Sequence, residues 1–462
     1  RYSYHNGTDW VYEDVKDYSS NWAYQYIGRN SQIKLNSTDV PHVVFFEDNY
    51  DDVYLSIRVN GSWSSSSVDD KGGYYSSIGE RSISLAIDSM DGLHVAYYTM
   101  YTSSSDRYDL EYAYRELGGP SWVKTNVHNQ GSHHIGTSVS IAVDSADRPH
   151  IAYHDRTHQD LEYAWFDGSD WLVETLDEYG SSGAHPNIAL DGTDQVHIAY
   201  QNATYSRLMS IVISNGMAAT QKVSQVGTHS YGMGFAVGTS GGMHLSFFNG
   251  SDSSGSLQYA SKRGSSWTSV TVDDSSTMVG THSDLVLDSD GNPHISYVDE
   301  TNGLLRHAHH DGTSWSLSTV DSSGSVLGYT SIAIDDDGHP RIAYHDGSLR
   351  LAESDGSSWT LTTQDAGSTG QGAQITVDDD GKTRIAYFDE DNDDLAFSLA
   401  GHQSPLVMGS SQFHPTGTSM GSGASGLSSL DVGETHGCAV SSSSVICWGV
   451  ATDGQLGNGA VA

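Results

Sequence analysis

The sequence predicts an all-β chain. It reads as a β-propeller of four-stranded antiparallel blades, eight on the main count and seven as the alternative, followed by the start of a second propeller-type repeat. Three observations predict this. One short strand recurs eight times along the chain, Gly/Asp turns interrupt it every several residues, and apolar positions alternate with a period of two.

The recurring strand appears as Pro41-His42-Val43-Val44-Phe45, His94-Val95-Ala96-Tyr97, Pro149-His150-Ile151-Ala152-Tyr153 and His197-Ile198-Ala199-Tyr200. It continues as His244-Leu245-Ser246-Phe247, Pro293-His294-Ile295-Ser296-Tyr297, Pro340-Arg341-Ile342-Ala343-Tyr344 and Arg384-Ile385-Ala386-Tyr387. The spacing is about 50 residues, too long for a leucine-rich repeat. Each copy follows an alternating strand such as Ser140-Ile141-Ala142-Val143-Asp144, and a short Asp/Gly turn joins the two as a hairpin. A third strand follows, typified by Leu161-Glu162-Tyr163-Ala164-Trp165. An Asp-Gly-x-x-Trp turn then leads into a fourth, with its Trp at 10, 63, 122, 171, 267, 315 and 359. Small residues in inner strands and large rings in outer ones suit sheets that crowd at an axis and spread outward.

Residues 1–401 are assigned to the propeller. Residues 1–16 carry the end of a third strand and a fourth strand containing Trp10, while Gln374 to Ala400 supply three strands, so the two ends are expected to complete one shared blade. The alternative is that Ser404-Pro405-Leu406-Val407 supplies the last blade's own fourth strand. Residues 402–427 form a Ser/Gly-rich linker, and residues 428–462 change signature.

Composition limits the functional classes. With 21 Lys plus Arg against 58 Asp plus Glu, the net charge is −37, which repels phosphate backbones and anionic membranes. Nucleic acid is therefore not an expected partner. No apolar run approaches the roughly 20 residues that span a bilayer, so no membrane insertion is expected. No basic-then-apolar leader opens the chain, and a start at Arg1 fits a leader already removed. Asn-x-Ser/Thr sequons at Asn6, Asn36, Asn60, Asn202 and Asn249 agree with an extracellular or cell-surface location.

Gly433-Glu434-Thr435-His436-Gly437-Cys438-Ala439-Val440, then Cys447-Trp448-Gly449 and Gly454-Gln455-Leu456-Gly457, resembles one repeat of the regulator of chromosome condensation family. Ala451 departs from its usual Asn. One repeat cannot bury its own core, so the resemblance implies a second propeller beyond, without implying chromatin binding. Cys438 and Cys447 flank the Ser441-to-Ser444 turn, either as a disulfide across the hairpin or as two buried thiols. The Asp-Gly-x-x-Trp turns, as at Asp311 and Asp355, are similar to the Asp-box of bacterial neuraminidase repeats, although the Asp is adjacent to the Gly rather than two residues before it. In that family the box is a folding element, so the resemblance does not imply catalysis.

The six recurrent His (42, 94, 150, 197, 244, 294) are read as structural, because one per blade disperses them while metal ligands must converge. If the first strand is innermost, the second-to-third and blade-to-blade loops share one face, which is the expected binding surface. Ligand-binding candidates at its rim are Glu47, Asp155, Asn202, Asn249, Asp299, Asp346 and Asp389, joined by His133, His134, His185, Tyr231, His282 and Tyr329 from loops leading into the blades. Such residues hydrogen-bond sugar hydroxyls and stack on pyranose faces; they also serve as turn caps. No cofactor is required. Ca²⁺ is a candidate at Asp389, Asp391 and Asp393 and at Glu47, Asp48 and Asp51, where the acidity exceeds what a turn needs. The expected function is an extracellular, non-catalytic recognition or scaffold propeller within a larger protein, with glycans or surface proteins as partners. The alternatives are a sialidase-like glycoside hydrolase, for which no first strand supplies an interior Arg, and a structural spacer. The sequence assigns no oligomeric state.

Overall fold

The computed structural model divides into two compact units, Arg1–Ser404 and Pro405–Ala462. It describes residues 2–5, 10–13, 31–47, 52–59, 62–70, 82–103, 105–129, 135–214, 216–225, 233–238, 240–251, 253–367, 369–378, 381–389, 394–400, 427–432, 436–441 and 444–449. Among these residues every regular element is a strand, and no helix is long and apolar enough to cross a membrane.

Seven four-stranded antiparallel blades follow one another in the first unit, over residues 32–69, 83–128, 135–177, 182–225, 233–273, 279–321 and 328–365 (blades 1 to 7). Within each, the strands neighbour one another in chain order, as hairpins joined by short turns require. The first strand of each blade lies beside that of the next, and Gln32–Leu35 lies beside Thr369–Val377, so the first strands surround an axis.

The count of eight four-stranded blades is corrected at the closure. The eighth repeat supplies Thr369–Val377, Thr383–Asp389 and Asp394–Ala400. Tyr2–His5 pairs in parallel with Asp394–Ala400, with Tyr2 opposite Phe397, and Trp10–Glu13 pairs antiparallel outside it. The ends do share a sheet, but it has five strands, and Trp10–Glu13 is the outermost rather than the fourth. Tyr2–His5 repeats the pattern of a third strand and interposes itself. The backbone along 397–399 thereby gains a partner strand instead of forming an open edge. The alternative fourth strand at residues 404–407 lies outside the described residues.

The core sits between blades rather than inside them. Val44, Leu55 and Val68 of blade 1 pack with Leu85, Val95 and Tyr97 of blade 2, and equivalent clusters join each later pair. In every blade but the fourth, a Trp at the start of the fourth strand fills the widening gap. Trp171 stands edge-on to Tyr112 of the preceding blade with centroids 4.8 Å apart, and Trp315 meets Tyr259 at 4.9 Å. Polar side chains knit the crowded inner strands: Ile141 N–H donates to Ser84 Oγ at 3.1 Å and Ile332 N–H to Asp284 at 3.0 Å.

The second unit contains one antiparallel sheet, Leu427–Val432, His436–Ser441 and Ser444–Gly449. Cys438 and Cys447 stand directly opposite each other in its register.

Candidate functional site

The recurrent residues come first, because their geometry decides which positions remain for a ligand. At the first hairpins of blades 2, 3 and 4, an Asp following the first strand caps the turn with one oxygen and holds the recurrent His with the other. Asp88 Oδ1 accepts the N–H groups of Met90 (2.9 Å) and Gly92 (2.6 Å), while His94 Nε2 donates to Asp88 Oδ2 at 3.0 Å. A third-strand Tyr completes the relay: Tyr112 hydroxyl donates to His94 Nδ1 at 2.7 Å, and His150–Tyr163 and His244–Tyr259 repeat it at 2.5 and 2.6 Å. Where Arg replaces His, the bond persists, with Arg341 reaching Asp335 at 3.0 Å and Arg384 reaching Asp378 at 2.6 Å. The recurrent His of blades 2, 3 and 4 are therefore turn braces in their own blades. Asp191 illustrates the electrostatics. Burial pushes its carboxyl up, but hydrogen bonds from Thr193, His197 and the Gln195 backbone outweigh this and hold it at about 2.

The Asp-Gly-x-x-Trp turns are folding elements too. Asp311 Oδ1 accepts the N–H groups of Thr313 and Ser314, both at 2.8 Å, and Asp355 does the same for Ser357 and Ser358. The Thr313 hydroxyl with these N–H groups holds the Asp311 carboxyl well below the usual carboxylate range, and the Ser358 and Ser357 N–H groups hold that of Asp355 there.

On the opposite face, the second-to-third loops and the loops between blades interlock. Ala203 N–H donates to Ser181 carbonyl at 2.8 Å, Ser182 N–H to Gln159 carbonyl at 2.7 Å and Val326 N–H to Gly303 carbonyl at 3.1 Å. The two loop sets do share one face. Asn202 and Asp299 are spent in tying them, while Asp155 and Asp346 are spent within their own second-to-third hairpins. Asp155 is buried and accepts from the N–H groups of Thr157 and His158 and from His158 Nδ1 (2.7 Å). Asn202 is buried and donates to the Tyr179 carbonyl and Ser182 Oγ at 2.6 and 2.7 Å. Asp299 accepts from Ser276 Oγ and Asn302, and Asp346 from Arg350 at 2.9 Å. Asn249, half-buried, lies opposite Ser256 in its hairpin. Glu47 and Asp389 pair through their backbones with Asp52 and Asp394. His133, His134, Tyr231, Asp48, Asp51, Asp391 and Asp393 lie outside the described residues.

Three predicted residues stand apart. His185, His282 and Tyr329 sit in bulges at the start of first strands, with φ of 50°, 51° and 52°. The preceding glycine explains the bulge. A Cβ on Gly280 would lie 2.5 Å from Leu257 Cα of the neighbouring blade, and one on Gly183 would lie 2.8 Å from Leu161 Cα. The chain must therefore swing outward at the next residues. His282 and Tyr329 belong to adjacent blades and meet there, with ring centroids 5.3 Å apart; Tyr329 is 48% exposed. Glu300 stands 3.7 Å from His282 Nε2, and Thr330 hydroxyl donates to the His282 carbonyl at 2.7 Å. Burial pushes the His282 pKa down against the opposing pull of Glu300, favouring a neutral ring. Aromatic faces, an imidazole and a carboxylate thus share a short arc near the axis on the loop face.

Sequence reading missed Glu162. It is 4% exposed, and burial pushes its carboxyl up to about 7, against a hydrogen bond from Thr175 and with Asp155 and Asp160 adding to the rise. Its repeat equivalents are Glu111, Gln258, Arg306 and Arg350, so no pattern marked it.

The fold and site together define a β-propeller protein. No family model matches the chain, and no curated protein matches it. Among solved structures it is similar to a protein of unknown function from Dyadobacter fermentans, at 11% identity over 64% of this chain and 94% of that one, with a TM-score of 0.39. The Aleuria aurantia lectin in complex with alpha-methyl-L-fucoside is 13% identical over 63% and 96% of the two chains, with a TM-score of 0.38. A polysaccharide lyase, an ulvan lyase, is 12% identical over 82% and 96%, with a TM-score of 0.43. At these scores and identities the likenesses carry neither ligand nor activity to this chain.

Proposed function

We propose that this chain is an extracellular, non-catalytic recognition propeller that binds glycan through its loop face, with the five-stranded sheet acting as an eighth blade. The observation that carries the reading is the His282–Tyr329 pair with Glu300 beside it: an exposed ring and polar groups held in fixed backbone geometry at a junction between blades. An aromatic ring stacks on a pyranose face while a carboxylate and a neutral imidazole accept or donate hydroxyl hydrogen bonds. The interlocked loops make this arc rigid, which lowers the ordering cost of binding. A surface protein presenting sugar-like polar groups is the neighbouring reading for the same face.

The competing reading, a glycoside hydrolase, has one residue in its favour, because Glu162 has the near-neutral carboxyl that a general acid needs. Its 4% exposure and its bond to Thr175 favour a structural role. Fluorogenic glycosides incubated with the purified chain separate the two readings. The recognition reading expects saturable binding without turnover, whereas turnover that is lost in Glu162→Gln would replace it with the enzymatic one.

A further inference from the structure

Blade 6 breaks the pattern of its neighbours on the face opposite the loops. Its turn Asp, Asp288, caps the hairpin as the others do, accepting the N–H groups of Asp290 and Asn292 on Oδ1 at 2.9 and 2.8 Å. The residue directly opposite its recurrent His294 is a second imidazole, His309. The corresponding partners elsewhere are Tyr114, Trp165, Val212, Ser261 and Glu353. The Asp–His bond, 3.0 Å in blades 2 and 4, opens here: Asp288 Oδ2 lies 3.8 Å from His294 Nε2 and 3.9 Å from His309 Nε2. One donor atom from each of the three residues falls within 4.8 Å of the others. His309 Nε2 is buried and has no hydrogen-bond partner.

We propose that Asp288, His294 and His309 bind a divalent transition ion of the zinc class. Two imidazoles and one carboxylate are a borderline-soft donor set that suits Zn²⁺, Co²⁺, Ni²⁺ or Cu²⁺ rather than Ca²⁺, which takes oxygen ligands. Bonds of about 2.0–2.2 Å would need the three atoms to close by roughly half an ångström. The surroundings already orient them. Asn292 Nδ2 donates to Asp288 Oδ2 at 3.2 Å, and His294 Nδ1 is 3.1 Å from His307 Nε2. With His307 in place of the usual third-strand Tyr, His294 can donate its Nδ1–H to that ring and keep Nε2 as a lone pair. The side chain of His309 is 30% exposed, which leaves a path for the ion and a position for water.

Two substitutions test the site without removing the fold, since each copies another blade. Asp288→Asn reproduces Asn36, whose Oδ1 caps the first turn of blade 1 through Thr38 and Val40. His309→Tyr reproduces Tyr114 of blade 2. Untagged full-length chain is titrated with Co²⁺ in a large excess of Ca²⁺, following the visible ligand-field bands and the stoichiometry. The expected result is one equivalent bound by the wild type, displaced by Zn²⁺, and weakened more than about tenfold in His309→Tyr. Asp288→Asn should weaken it as well. No stoichiometric uptake by the wild type, or unchanged uptake by His309→Tyr, would overturn the site.

Discussion

Tyr344 donates its hydroxyl to Asp321 at 2.7 Å across the gap between blades 6 and 7. The same bond joins Tyr200 to Asp177, Tyr297 to Asp273 and Tyr387 to Asp365, at 2.7, 2.8 and 2.8 Å. The Asp ends one blade's fourth strand and the Tyr lies in the next blade's second strand, so each bond fastens a junction between blades. Tyr344→Phe leaves a buried carboxylate short of a donor and is expected to cost about 1–2 kcal/mol in urea unfolding. An unchanged midpoint would mean that Arg350 or water takes over.

A second tie runs between successive hairpin turns. Ser89 donates through N–H and Oγ to Asp147 at 3.0 and 2.9 Å, and Asp147 has a φ of 60°. Gly occupies the equivalent place in later turns, as at Gly291 and Gly338. The expected order of stability is wild type, then Asp147→Gly, then Asp147→Ala, because Ala loses the bonds and keeps a left-handed strain of about 1 kcal/mol. Thermal midpoints of the three variants check it.

Glu162 makes stability depend on pH. Its folded-state value of about 7 lies above that of an unfolded Glu, so its protonation favours the fold. That contribution is complete below about pH 4 and is lost as pH rises towards and through 7. Glu162→Gln keeps an acceptor for Thr175 and should match the wild type in acid while melting higher at pH 8. Equal midpoints across the range would place the titration elsewhere.

Cys438 and Cys447 are directly opposite residues of an antiparallel pair. Such pairs hold their Cα atoms about 4.5–5.5 Å apart, within reach of a disulfide. Peptide mapping without reductant is expected to recover them linked. Two free thiols in protein secreted through an oxidising compartment would contradict that.

The repeat, its four strands and the bracing role of the recurrent His were legible because each rests on local periodicity and turn chemistry that recur along the chain. The closure was less so, since Tyr2–His5 resembles a third strand whichever edge it joins. Asp155, Asn202 and Asp299 have the chemistry of sugar ligands, but only the loop hydrogen bonds reveal that it is spent on the fold. His282 and Tyr329 were found from their loops; their contact across two blades depends on bulges set by the close approach of Gly280 to Leu257. His309 escaped because the recurrent His were compared between blades. Convergence occurs within one, across a strand pair.

The most direct measurement is a broad glycan array probed with wild type and Tyr329→Ala, each with and without Ca²⁺. Saturable binding by the wild type that is lost in Tyr329→Ala and indifferent to Ca²⁺ is the predicted result. Binding that Tyr329→Ala retains but that needs Ca²⁺ would contradict it and move recognition to the acidic loops at Glu47 and Asp389. No binding by either form would leave protein recognition or a spacer role for this propeller.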